Sequence, residues 1–356
     1  MILDDVLQDK LQQARSTQPT TSTESIALCD FVLGLIAKLS INSEASENDC
    51  AEECYLKNYL YLITDIEALS QQYNTIVNNP SESDQRLLSL AFHLALSDYE
   101  IMTLALLLGV EKNTMIGRCI AYVQSPVGGS RPTLGLLDSI FAQFKSDDRC
   151  TAGSLILSGK AMEMGLMKVL NSNAPIPEQS LSLPIPLVIA LQGLEAKWPK
   201  SRGHITKRLE LPSSIIIEAK KQSALLYQKP KQVLIIRAGC RTELENITAR
   251  ITKYRFQRPL FIERDSENLA GLVAYLYLHA STPVFEYDLG PNDNQRIPTI
   301  PGYDGPIIVI CSKEGVLEYP QGTTITWNID KPIRRERFEL WEKQLPKGTA
   351  YQELAE

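Results

Sequence analysis

The sequence predicts a mixed fold: a mainly α-helical N-terminal domain with a small β-hairpin, followed by an α/β domain on a mostly parallel sheet. Two observations carry this. The first 195 or so residues show apolar positions at helical spacing behind recognisable N-caps. After Lys231, short β-branched runs alternate with helical patterns, the signature of strands joined by crossover helices. A third observation bears on function: the first strand–glycine–helix junction of the α/β part is P-loop-like in layout but lacks the residues that hold phosphate.

The N-terminal part is expected to begin with residues 1–80, a set of helices with a polar tether. Ile2–Leu11 is amphipathic, with Leu3, Val6, Leu7 and Leu11 on one side, and Ser16–Ser25 is a polar tether. The leader is either a docking peptide or a first helix folded back on its own domain. Ile26–Leu39 and Glu53–Val77 read as two further helices around the acidic loop 41–49. The second carries a seam of Leu56, Tyr59, Leu60, Ile63, Ile66, Leu69 and Tyr73, suited to a helical hairpin or a partner helix.

Residues 81–196 are expected to form a winged-helix-like domain. Ser81–Leu96 opens with Ser81 and Asp84 as a cap, and Ser97–Val110 opens with the capping box of Ser97 and Glu100. Asn113–Gln124 is a third helix. This helix–turn–helix pattern would suit DNA only if the third helix carried cations and donors, and it offers Arg118 and Gln124 alone. Ser125–Pro132 is a turn-rich loop, and Thr133–Phe144 a helix. Ser154–Leu157, Met167–Leu170 and Gln179–Leu183 are extended candidates around a helix at Gly159–Gly165, with Pro186–Gly193 after them. Met162, Met164 and Met167 fit either an adaptable binding surface or core filling.

Lys197–Lys231 is a basic connector, with nine Lys/Arg against Glu210 and Glu218. Nucleic acid or an acidic partner could use it, but no aromatic platform interleaves the charges, which favours a solvated connector. Leu211–Ile217 is a strand candidate within it.

Residues 232–356 are the α/β unit. Gln232–Ala238 is a buried strand, Gly239–Thr242 a turn, and Leu244, Ile247, Thr248 and Ile251 mark the helix that follows. A working phosphate loop reads G-x-x-x-x-G-K-[ST], so that backbone N–H groups and a Lys surround the phosphates. With Thr242 as its last residue, Arg241 replaces the Lys, Cys240 the second Gly and Ile235 the first. Pro259–Glu263 is a second strand, Ser266–Ala280 a helix, and Pro283–Asp288 a third strand. Asp288 ends that strand where a metal-holding acid would stand, but Leu289 and Gly290 follow it instead of a second acid. Pro306–Cys311 and Thr323–Ile329 complete about five strands. The degenerate nucleotide-site positions are therefore Gly239, Cys240, Arg241, Thr242 and Asp288, with no catalytic or metal-ligating residue assigned.

Lys331–Leu345, with Arg337, Leu340, Trp341 and Leu345, resembles the R-x-x-L-W-x-x-x-L helix near the end of the large subdomain in a family of bacterial AAA+ ATPases. The resemblance extends from about Leu87 to the C-terminus. That family combines a winged-helix-like N-terminal region, a degenerate AAA+ module and a competent one, and its members often accompany phage-tail-like contractile injection systems. The resemblance implies a non-catalytic N-terminal part of such an ATPase, serving protein contacts in remodelling or assembly of an injection particle. It also implies a chain truncated before its lid, of which Tyr351–Glu356 would be the opening turn. ATP and Mg belong to the family, and none is expected for this chain. Expected partners are a protein client, an injection-particle component or the same chain in a ring. Without a nucleotide site between neighbours the chain is expected to stay monomeric. Two other readings stay open: an atypical NTPase with Arg241 and Thr242 on phosphate and Asp288 on metal, and a helix-turn-helix DNA-binding regulator.

Composition agrees with a globular chain, 44% hydrophobic and 22% charged over 356 residues. A net charge of −6 provides no general attraction to nucleic acid. Seven cysteines without a C-x-x-C pair, and His93, His204 and His279 far apart, speak for a reduced, zinc-free, cytoplasmic protein. The acidic N-terminus lacks the features of a signal peptide, and no apolar stretch is long enough to span a membrane.

Overall fold

The computed structural model describes residues 27–40, 50–63, 68–126, 128–144, 151–205, 207–263, 269–345 and 351–354. The leader Ile2–Leu11, the tether 16–25 and the acidic loop 41–49 lie outside the described residues. Two helices organise the N-terminal part. α1 (Leu28–Ser40) is buried along nearly its whole length. α5 (Asp98–Lys112) is buried from residue 100 to residue 109, as expected of a helix that is apolar all round. They cross closely at Gly109, where a Cβ would stand 2.2 Å from the Cys29 Sγ. The capping box of α5 forms as the sequence predicts: Glu100 receives the Ser97 N–H at 2.7 Å.

The single helix expected over Glu53–Val77 is instead broken into α2 (Ala51–Lys57), a 3-10 turn at Leu60–Leu62 and α3 (Leu69–Asn78). The reason is packing on α1. The Tyr59 carbonyl and the Ile63 side chain press against Gly34, at 3.0 and 2.9 Å from where its Cβ would be, so the chain bends around α1. α4 (Gln85–Leu94) follows. Asp84 stands at its N-terminus but caps a different helix, taking the Leu28 N–H of α1 at 2.8 Å. α6 (Thr114–Val123) and α7 (Leu134–Phe141) are both capped by their own preceding residue, Asn113 and Thr133.

Ser154–Leu157 is helical, not extended: α8 (Ala152–Leu157) is started by the Thr151 hydroxyl, which accepts from Ser154 N–H. A four-residue apolar run fits either state, and the cap decides it. After α9 (Lys160–Glu163), the strands β1 (Lys168–Val169) and β2 (Leu181–Ser182) pair antiparallel, and Ser180 bridges to Thr133. α10 (Ile185–Leu191) closes this part.

The stretch read as a connector belongs to the α/β layers. It supplies β3 (Ser201–Arg202) and α11 (Ser213–Leu226). Leu211–Ile217 is therefore not a strand. Its β-branched residues open α11, whose first turn is held from outside: the Glu336 carboxylate accepts the Ser214 N–H and hydroxyl, each at 2.8 Å. The main sheet adds β4 (Gln232–Arg237), β5 (Arg258–Ile262), β6 (Ser281–Tyr287), β8 (Ile307–Cys311) and β10 (Thr323–Asn328). Its order is β10-β4-β8-β6-β5-β3, parallel except for the short edge strand β3. Two further strands that the sequence did not signal, β7 (Asn294–Arg296) and β9 (Val316–Glu318), pair beside it.

Alternation along the strands sorts the two faces. Leu234, Ile236, Ile308 and Ile310 pack under α11 and α12 (Arg241–Lys253). Val233, Ile235, Ile307 and Val309 join a core continuous with the helical part through α13 (Leu272–Leu278). At that junction the Tyr277 ring stacks on His93 at 4.1 Å, and Gly271 N–H donates to the Met164 carbonyl at 2.6 Å. α14 (Arg334–Gln344) and α15 (Tyr351–Leu354) end the described chain. Among the described residues no helix is long and apolar enough to cross a membrane.

Candidate functional site

In a parallel sheet the carboxyl ends of the strands are the usual place for a ligand. Here the ends of β4, β6 and β8 and the start of α12 border a crevice of about 580 Å³. Of the five degenerate positions, Gly239, Arg241 and Asp288 line it, whereas Cys240 and Thr242 do not. Only Ala238, Gly239 and Cys240 separate β4 from α12. That is too short for backbone N–H groups to wrap a phosphate chain. Nothing lies within 4 Å of where a Gly239 Cβ would be, so no close approach requires a glycine there. Asp288 is exposed just beyond β6.

The Arg241 guanidinium is already engaged. It pairs with Glu286 of β6, and its Nε lies 3.4 Å from Glu245 of α12. The same two carboxylates receive Arg202 of the edge strand: Glu245 at 2.8 Å, and Glu286 in a second close pair. Arg202 reaches them across β5, with its guanidinium 4.2 Å above the Phe261 ring. Two cations and two anions thus close into one network. Glu245 is 1% exposed and Arg241 67% exposed, so the network runs from the interior to the crevice wall. Burial pushes the Glu286 carboxyl above the usual carboxylate range, Arg202 and Arg241 pull it back, and Glu245 pushes it up.

A third arginine, Arg237 at the end of β4, shapes the opposite rim. It donates to the carbonyls of Ser312, Glu314 and Gly315 at 2.8–3.1 Å. The Ser312 hydroxyl bridges the N–H and carbonyl of Leu289 across the ends of β6 and β8. Among the described residues no three His, Cys, Asp or Glu side chains stand where they could hold a metal ion.

Comparison of the chain with protein-family models, with curated proteins and with solved structures finds no match.

Arg202, Arg237, Glu245 and Glu286 were missed by motif reasoning. Glu286 carried the clearest signal, an acid inside the apolar run PVFEYD, which alternation assigns to the α12 side of the sheet. Arg202 had none, because its role depends on a two-residue strand pairing across the sheet edge.

Proposed function

We propose that the chain is a non-catalytic, protein-contacting module of AAA+ type, in which an internal Arg–Glu network replaces nucleotide. The observation that carries this is the pairing of Arg241 with Glu286 and Glu245: the cation at the position of the phosphate-loop Lys is neutralised by the protein itself. Counting the parallel strands one to five along the chain, their spatial order is 5-1-4-3-2, the order an AAA+ sheet would have, and this supports the kinship. The helix at Arg337, Leu340, Trp341 and Leu345 adds to it. By that resemblance the proposed role is in remodelling or assembly of a contractile injection particle, with ATPase chemistry supplied by another module.

The helical part supports protein rather than DNA contact. A bridge at Thr133, helices α7, α8 and α9, then the β1–β2 pair follow one another in an order that supports the winged-helix-like reading. Of the helices that could enter a groove, α6 offers a single cation, Arg118, already paired with Glu52, and α8 is AGSLIL, without a cation to meet phosphate or a donor-rich side chain to read bases.

Calorimetry with ATP and ADP in the presence of Mg²⁺ tests the reading, on the native chain and on Arg241→Ala. No saturable heat at millimolar nucleotide is expected. Saturable binding that Arg241→Ala abolishes would overturn it in favour of an atypical nucleotide site.

A further inference from the structure

A second cleft lies on the flank of α12, away from the crevice just described. It is a groove of about 490 Å³ between residues 203–205 and 208–211 of one segment on one side and the outer side of the helix on the other. Three cations border it: Arg208 from the segment, Arg250 and Lys253 from the helix. Among the described residues none of the three forms an ion pair. The single carboxylate of 203–211, Glu210, faces Lys343 at 3.7 Å, and the sequence has no acid from residue 246 to residue 262. In a chain of net charge −6 this is an uncompensated local excess of positive charge.

The groove is held open by buried contacts. Asn246, 8% exposed, accepts the Leu209 N–H at 3.0 Å and donates to the Lys207 carbonyl at 2.7 Å. It thereby staples the segment to α12. Arg202 of the ionic network donates to the His204 carbonyl at 3.2 Å and holds the other end. Between the cations the lining is aliphatic: Ile205, Leu209, Leu211, Ala249 and Pro259. Apart from the small His204 imidazole at one end, no aromatic ring lines it among the described residues, so bases would find no Phe, Tyr or Trp platform to stack on.

We propose that this groove binds an acidic, leucine-rich peptide segment of a partner protein. The carboxylates would meet Arg208, Arg250 and Lys253, and the aliphatic side chains would lie between them. Charge complementarity selects the anion, and the mixed lining selects a peptide over a polyphosphate or a nucleic acid. The proposal is independent of the crevice: nucleotide binding there would leave it standing.

The test uses fluorescence anisotropy on the full chain with a labelled ten-residue peptide in which Asp and Glu alternate with Leu. Saturable binding is expected, weakening as salt is raised, and about tenfold or more weaker in the double variant Arg250→Glu/Lys253→Glu. Lys220→Glu/Lys221→Glu, which changes overall charge equally but outside the groove, should bind as the native chain does. The Asn/Gln version of the peptide should not bind. Binding absent up to millimolar protein would overturn the proposal, as would equal loss in both double variants. A labelled oligo-dT that binds more tightly than the peptide, and is lost in Arg250→Glu/Lys253→Glu, would overturn it in favour of nucleic acid. Circular dichroism of each variant checks that loss of binding is not loss of fold.

Discussion

The Arg202 guanidinium lies 2.8 Å from the Glu245 carboxylate and 4.2 Å above the Phe261 ring, joining the sheet edge to the interior of α12. Removing Arg202 leaves two carboxylates, Glu245 buried among them, to share Arg241, so one negative charge is no longer balanced, the costly case. Arg202→Met is therefore expected to destabilise by about 3 kcal/mol. Arg241→Met, on the exposed side of the same network, should cost less than about 1 kcal/mol. Urea denaturation of both variants measures the difference, and equal costs would contradict the network as described.

Asp84 and Leu28 show the same principle in the helical part. The Asp84 carboxylate takes the first N–H of α1 and the Ser81 hydroxyl, at 2.8 and 2.7 Å, with its residue buried. Asp84→Ala should cost about 1–2 kcal/mol, the loss of a cap on a helix that is itself core. A thermal shift no larger than that of an exposed surface substitution would show the cap to be idle.

Gly109→Ala would usually raise helix stability by up to about 1 kcal/mol. Here the sign reverses. The added Cβ meets the Cys29 Sγ at 2.2 Å, and overpacking of this kind costs about 1–3 kcal/mol. The double variant Gly109→Ala/Cys29→Ala should recover most of the loss, since the methyl then occupies the space of the sulfur.

Burial also sets cysteine reactivity. It pushes the Cys29 thiol up to about 12, whereas Cys54 and Cys240 are exposed. Since the thiolate is the reactive form, brief alkylation at pH 8 followed by peptide mapping should modify Cys54 and Cys240 and spare Cys29. Modification of Cys29 at a comparable rate would mean that α1 opens locally.

His279 should make stability fall in mild acid. Burial lowers its pKa from 6.5, Glu195 opposes this, and Arg86 and Arg258 add to the lowering. Its Nε2 is buried and has no hydrogen-bond partner among the described residues. The folded state therefore binds this proton less readily than the unfolded chain. Stability is full above pH 6.5 and declines as pH drops from there toward the lowered folded value. His279→Phe should flatten that part of the profile in denaturation measured between pH 5 and pH 7.5.

Much of the architecture was legible in the residues. The strand runs at Gln232–Ala238 and Pro306–Cys311 and the capping box at Ser97 and Glu100 appear where the sequence places them, within a residue or two. Each depends on neighbours in the chain: alternation within one strand, or a side chain reaching three residues on. Of the misread segments, Ser154–Leu157 turned on a local cap from Thr151, and the other two depended on distant partners. Leu211–Ile217 is helical with Glu336 capping its first turn from 122 residues away. Glu53–Val77 is broken because Tyr59 and Ile63 must fit against Gly34. At the site, Gly239, Arg241 and Asp288 were legible as remnants of a pattern, but Glu286, Glu245 and Arg202 were not, since three separate elements bring them together.

What the sequence determined by itself is the local level: the buried strands of the parallel sheet, the capped helices such as α5, and that the β4–α12 junction lacks a phosphate loop. Side-chain periodicity and the lack of a Lys and a second Gly suffice for that. The tertiary structure decided what occupies the junction instead. Arg241 is neutralised by carboxylates from β6 and α12, and Arg208, Arg250 and Lys253 are left facing a groove without an acid. Electrostatic pairing acts over a few ångströms through space, and chain order does not reveal which charges the fold brings within that range.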